Sequence, residues 1–269
     1  MPPFRGWLIS ILPFVRVIID IRDGWSIAMK SGYGGSSKKK PLKAKIAAWI
    51  EKMAIRRSFI TITCTTGLQD YLQKISEHSV LLVPNGMLDA DLEMINKIKA
   101  ADDIEKSKNE LIFICAGKFS EYGANKAKKL LQVIYERYKG DKKLVVRLVG
   151  SDIESNRWAV DYFRHLTNEG GRVELLPRMN KYELFTQMVA ADFGLSIVRD
   201  PDYEFGTKVF DYIAAGLPII NYFDESNKFT DYFDGCLDRP FINGKARPEI
   251  RRSILIENSL SRINWHGNN

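Results

Sequence analysis

Apolar positions along this chain gather into short runs separated by longer, mixed segments. Residues 15–20, 59–64, 80–83, 111–116, 144–149, 172–176, 192–198 and 217–221 are β-branched or apolar, and each run is followed by a stretch of helical length. That alternation predicts βαβ units and a parallel sheet. Most runs are apolar throughout, as expected for strands covered by helices on both faces. The fold class expected is α/β. A boundary is expected near 85–110, where the turn signal Pro84-Asn85-Gly86 and the polar stretch 96–110 precede a fresh strand at Leu111. Beyond it, strands and helices suffice for a nearly complete open α/β domain. Before it there are three strands, the first starting within fifteen residues of Met1, so the N-terminal part reads as the back half of a domain. The expected organisation is a partial domain over 1–90, a linker over 91–110, a second domain over 111–245, and a C-terminal helix and tail over 246–269.

Composition narrows the classes. With 45% hydrophobic and 27% charged residues in 269, the chain has material for a core, which excludes disorder. The apolar stretch 7–19 is interrupted by Ser10, Pro13 and Arg16, too short and broken to span a bilayer, and lacks a signal-cleavage site. Cys64, Cys115 and Cys236 have no paired spacing, so reduced core thiols and a cytoplasmic location are expected. The net charge of +7 is concentrated: residues 1–60 carry twelve Lys and Arg against Asp20, Asp23 and Glu51. A nucleic-acid reader would spread its charge across the recognition module, so no nucleic-acid partner is expected. Between Leu42 and Arg57 the pattern has helical period, with Leu42, Ile46, Trp49, Ile50 and Met53 in one stripe edged by Lys45, Lys52 and Arg56. Preceded by Lys38-Lys39-Lys40, it is the layout of a helix resting on anionic lipid, or of a core-packed helix with a charged rim.

The densest chemistry lies between Asp192 and Tyr222. A strand runs into Arg199-Asp200-Pro201-Asp202, then Tyr203-Glu204-Phe205-Gly206-Thr207-Lys208, then a helical run to Ala215 closed by Gly216-Leu217-Pro218. Gly216 and Pro218 are stop signals, which place the helix start near 205–207. Free N–H groups and the dipole there favour an anion, and Gly206 lets the backbone approach a ligand. Asp211 falls on the face of Thr207, four residues on, where a carboxylate can accept two ribose hydroxyls. The alternative is that Gly206 only makes a turn and Asp211 pairs with Lys208 at i,i+3. Upstream, the strand ending at Gly117 is followed by Lys118, a polar loop, and a helix opened by Lys126. Ligands of open α/β sheets bind beyond the carboxyl ends of the strands, where Lys118, Lys126 and the Gly206 loop all fall. Two lysines and a helix N-terminus would neutralise a diphosphate leaving group without a metal. Lys128 and Lys129 read as a solvated face, and His78, His165 and His266 as structural or surface residues.

In chain order, Ala-Gly-Lys at 116–118, Leu-Val-Gly at 148–150, residues 173–177 with Tyr182-Glu183-Leu184, Ala191-Asp192, and Glu204-Phe205-Gly206 through Asp211-Tyr212-Ile213-Ala214-Ala215-Gly216-Leu217-Pro218 form a series. The series resembles the nucleotide-sugar-binding domain of family 4 retaining glycosyltransferases of the GT-B fold. Asp20-Ile21-Arg22-Asp23-Gly24-Trp25, Thr65-Thr66-Gly67-Leu68 and Val83-Pro84-Asn85-Gly86 are similar to the second half of that family's acceptor domain, in the type that builds surface polysaccharide and lipopolysaccharide. The resemblance covers roughly residues 15–225. It implies a GT-B-like pair of Rossmann-like parallel-sheet domains, the N-terminal one incomplete.

It also implies a retaining, metal-independent hexosyltransferase that needs no cofactor. The donor would be a nucleotide-diphosphate sugar and the acceptor a glycan or a lipid-linked glycan at the inner face of a membrane. On this resemblance Gly117, Lys118, Lys126, Tyr203, Gly206, Thr207 and Asp211 would hold the donor. Arg22, Asp23 and Glu204 would act at the reacting centre. The departures are specific: Tyr203 stands where the family has the first acid of a Glu-x7-Glu pair, with Glu204 one position late, and Asp211 is one methylene shorter than the second. Lys118 replaces an Arg, losing the bidentate fork, and Lys126 lies further from it than is usual. The family's first βα units and glycine-rich loop have no counterpart before Met1, and residues 31–36 are not that loop. The expectation is therefore nucleotide binding with poor transfer; the competing classes are a non-catalytic nucleotide-sugar-binding or membrane-associated partner protein and, more remotely, an epimerase.

Overall fold

The computed structural model describes residues 16–24, 26–27, 41–101, 106–242 and 244–263. They form two compact units, one from residues 1–85, 200–205 and 252–269, the other from 86–199 and 206–251. Trp25, the 31–36 loop, the lysine run 38–40, most of the 7–19 stretch and His266 lie outside the described residues.

All eight apolar runs contain strands. The first unit is a parallel sheet in chain order, β1 (Ile18–Ile21), β2 (Ile60–Thr63) and β3 (Val80–Leu82), with Ile18 opposite Ile60 and Thr61 opposite Val80. The helices α1 (Pro41–Arg57) and α2 (Thr66–Gln73) follow β1 and β2. Thr65 caps α2 by accepting the Leu68 N–H at 3.2 Å, a frequent helix-start arrangement. Ile19, Ile21, Ala54, Ile55, Leu72 and Val80 make the core.

Helix α1 presents its sides in an unexpected way. Ala44, Ala47, Glu51, Ala54 and Ile55 face inward and are buried, whereas Leu42, Ile46 and Trp49 are 71%, 51% and 56% exposed. The helix packs on its alanine side, and of the stripe only Ile50 and Met53 are partly buried. The buried Glu51 accepts from Ser26 N (3.2 Å) and Ser26 Oγ (2.9 Å), with Tyr71 OH 2.8 Å from the same hydroxyl. Those donors offset the cost of desolvating a carboxylate.

The second unit opens with α3 (Asp89–Ala100), then β4 (Glu110–Ala116), α4 (Ala124–Tyr138), β5 (Lys143–Val149), α5 (Ile153–Asn156), α6 (Trp158–Leu166) and β6 (Gly171–Leu176). It continues with α7 (Lys181–Val189), β7 (Phe193–Leu195), α8 (Lys208–Ala215), β8 (Ile219–Ile220) and α9 (Lys228–Phe233). The strand order is β6-β5-β4-β7-β8, all parallel. The first strand of the unit is central, and the chain winds outward on one side before crossing to the other. Phe113, Phe119, Leu130, Ile134, Val146 and Phe163 are fully buried in its core.

Much of the segment expected as a linker is helix α3. Ile95 and Ile98 are buried, Lys99 Nζ donates to Ala214 O at 2.6 Å, and Lys181 Nζ reaches both Asp91 oxygens at 2.8 and 2.7 Å. Two apolar side chains at i,i+3 suffice to dock a helix whose remaining positions are polar. The C-terminal helix α10 (Arg252–Leu260) belongs to the first unit, where it buries Leu255 and Ser259 and donates from Ser259 Oγ to Leu82 O at 2.8 Å. All three cysteines are free and buried. Burial pushes the thiols of Cys64 and Cys115 up to about 11 and about 12, the mark of inert core sulfur.

Candidate functional site

In the second unit, the carboxyl ends of β4 and β7 meet where the strand order reverses, the position at which open α/β sheets bind ligands. A cavity of about 250 Å3 lies there, lined by Gly117 and Lys118 after β4, by Ser196, Ile197 and Val198 after β7, and by Gly206, Thr207 and Lys208 at the start of α8. Tyr122 and Tyr212 complete the wall. Gly206 has φ +72°, a backbone state that other residues enter at a cost. Thr207 does not cap α8 with its side chain; the Phe210 N–H donates to Thr207 O at 3.2 Å, and the N–H groups ahead of it have no intrahelical acceptor. As expected, Gly216 closes α8 in the left-handed conformation.

Tyr212 sets α8 against the sheet. Its fully buried ring lies on the backbone of β7, where a Cβ on Gly194 would stand 2.5 Å from Tyr212 Cγ. Its hydroxyl accepts the Ala116 N–H at 2.7 Å, fixing the end of β4 beside the cavity. The loop after Lys118 is organised by Glu121, which accepts from Phe119 N, Asp152 N and Asn156 Nδ2, each at 3.0 Å. Burial pushes that carboxyl up, but these bonds together outweigh it and hold it below its ordinary value.

The expected donor residues separate into two sets. Gly117, Lys118, Gly206 and Thr207 line the cavity. Lys126 does not: its Nζ donates to Val198 O at 3.3 Å and to Arg199 O, tying α4 to the chain leaving β7. Asp211 also stands behind the lining. Its side chain is 17% exposed and its Oδ2 lies 2.9 Å from Lys208 Nζ, the i,i+3 pairing that was the alternative reading. Burial pushes the Asp211 carboxyl up, Asp91 adds to this, and Lys208 and Lys181 oppose it. Arg199 carries a second positive group over the Tyr122 ring, 5.0 Å from its centroid, with Lys118 Nζ at 5.9 Å.

Arg22, Asp23, Tyr203 and Glu204 fall in the first unit. Arg22 follows β1, with Nε 2.7 Å from Asp20 Oδ1 and a guanidinium nitrogen donating to Val83 O (2.8 Å) and Asn85 Oδ1 (3.3 Å). Asp23 is exposed beside it. Thr65 Oγ1 donates to Tyr203 O at 3.1 Å, while Tyr203 N and Glu204 N both return to Asp200 O. The carboxyl ends of β1, β2 and β3 thus gather Arg22, Thr65 and Asn85, with the 203–204 turn held there. Sequence reasoning missed Tyr122, Arg199, Lys208 as a lining residue, and the packing role of Tyr212. A tyrosine inside the apolar run 209–215 was the one available signal. His78 and His165 are exposed.

Two Rossmann-like parallel units with this switch-point cavity make the fold GT-B-like, the fold of nucleotide-sugar glycosyltransferases. Solved structures similar to the chain include sucrose-phosphate synthase from Thermosynechococcus elongatus, at 17% identity over 97% of this chain and 61% of that one, with TM-score 0.56. Others are Anabaena HepE in complex with UDP and glucose, at 13% identity over 96% and 65% with TM-score 0.54, and WaaG, a glycosyltransferase involved in lipopolysaccharide biosynthesis, at 14% over 93% and 70% with TM-score 0.51. The chain spans less than two thirds of the length of the first two. No protein-family model matches the sequence, and no curated protein matches it. Among the described residues, no helix is long and apolar enough to cross a membrane.

Proposed function

We propose that the second unit holds a nucleotide-diphosphate sugar and that the chain serves glycosyl transfer to a glycan or lipid-linked acceptor. The observation that carries this reading is the convergence of Gly117, Lys118, Gly206 and Thr207 on one cavity at the switch point. Breaking the bond between the anomeric carbon and the diphosphate oxygen leaves negative charge on the phosphates. Lys118 and the N–H groups opening α8 would stabilise that charge as it develops, so the reading needs neither a metal nor a cofactor. Asp211 would accept the ribose hydroxyls and Tyr203 or Glu204 would meet the sugar. Arg22 and Asp23 would face the acceptor, and the transfer would be of the retaining type. UDP is the first ligand to try, because HepE has been crystallised with it. Calorimetry with UDP, GDP and ADP tests the site: one nucleotide should bind, and Gly206→Val should abolish that binding. Equal indifference to all three would remove the reading. Transfer of radiolabelled sugar to membrane extract separates an enzyme from a non-catalytic binding partner, which would bind UDP and transfer nothing.

The exposed side of α1 favours an anionic membrane surface as a further partner. Leu42, Ile46 and Trp49 stand outward with exposed Lys45, Lys52 and Arg56 beside them, so apolar insertion and attraction to anionic headgroups act together. Binding to phosphatidylglycerol vesicles should fall steeply with salt, each basic residue near the surface contributing about 1 kcal/mol. Salt-insensitive binding would count against it.

A further inference from the structure

Lys208 is the first residue of α8, where the helix dipole disfavours a cation unless an anion is nearby. Lys208 lines the cavity with Lys118, Gly206 and Thr207, and its side chain is 41% exposed, against 17% for its partner Asp211. The pair therefore has a more exposed member, the lysine, and a more buried one, the carboxylate. A partly exposed lysine–carboxylate pair is weak, and its four-carbon stem reorients readily. A diphosphate in the cavity offers the same ammonium a more highly charged acceptor.

We propose that Lys208 is a second diphosphate-binding cation that exchanges Asp211 for the phosphates when the cavity fills, and so frees the Asp211 carboxylate for the ribose hydroxyls. Phosphate and ribose recognition are then coupled through one side chain. The proposal rests on the donor-site reading above and adds a residue and a sequence of events to it.

The test is calorimetry of UDP, uridine and inorganic pyrophosphate against the wild-type chain, Lys208→Met, Lys208→Arg and Asp211→Asn. Lys208→Met should weaken UDP and pyrophosphate about tenfold or more, the loss expected for one charge-assisted hydrogen bond. It should leave uridine unchanged or tighter, and Lys208→Arg should restore most of the UDP affinity. Asp211→Asn should weaken UDP and uridine while sparing pyrophosphate. If Lys208→Met weakens UDP and uridine in equal proportion, Lys208 merely props Asp211, and the exchange is wrong. Unchanged UDP affinity in Lys208→Met overturns it equally. A wild-type chain that binds none of the three fails at the donor-site reading itself, and the exchange falls with it. A variant-free readout guards against misfolding: acetylation of Lys208 in the wild-type chain, followed by mass spectrometry. UDP and pyrophosphate should protect the amine and uridine should not; protection by uridine alone would contradict the exchange.

Discussion

Helices α1 and α8 are both amphipathic by sequence, yet they use the pattern in opposite senses. In α8 the apolar residues Val209, Phe210, Tyr212, Ile213 and Ala214 are buried, and Lys208 and Asp211 form the polar side. In α1 the buried side is three alanines, a glutamate and Ile55, while Leu42, Ile46 and Trp49 face out. The period of a stripe reports that a helix has two sides. Which side meets the protein is decided by what the neighbouring elements offer: alanines permit close approach to the sheet, and Ser26 and Tyr71 provide hydrogen bonds that make a buried Glu51 tolerable.

The contrast can be broken at its tightest point first. Gly194→Val drives a side chain into the Tyr212 ring on which α8 rests, and overpacking of this kind costs about 3 kcal/mol. Urea unfolding should show that loss; a variant as stable as wild type would mean that α8 can shift freely. On α1, Glu51→Ala should cost about 2 kcal/mol, because Ser26 loses its buried acceptor. Glu51→Gln, which keeps a carbonyl there, should cost less. Equal losses would show that charge, rather than acceptance, matters.

Exposed positions should behave differently. The double variant Ile46→Gln, Trp49→Gln should change stability by no more than about 0.5 kcal/mol, while binding to anionic vesicles drops. A large stability loss would place those side chains in a packed interface. The smallest effect concerns Asp211, whose carboxyl is raised above its ordinary 3.8. A raised carboxyl contributes stability that is present below pH of about 4 and is lost as pH rises through the raised value. Asp211→Asn should therefore be at least as stable as wild type at pH 7 and lose that advantage toward pH 3.5. Thermal midpoints across this range check the sign, and a variant destabilised more at pH 7 than at pH 4 would give the Lys208 pair the larger role.

Much of this molecule follows from local signals. The apolar runs became strands because β-branched segments of that length are best satisfied between two helical layers, and β4 and β5 are buried over nearly their whole length. Gly206 and Gly216 marked the two ends of α8 because positive φ selects glycine whatever surrounds it. Those features depend on a residue and its immediate neighbours, so they are legible in one dimension. Other features are not. Lys126 finds the carbonyls of Val198 and Arg199, more than seventy positions away, rather than the cavity. The turn carrying Tyr203 and Glu204 counts with the first unit because Thr65 binds it there, and α3 forms a packed helix where polar composition suggested a linker. In each case the outcome is set by a partner distant in the chain. A flexible cation or a sparse apolar pair is compatible with several partners, and only the folded arrangement brings one of them within reach.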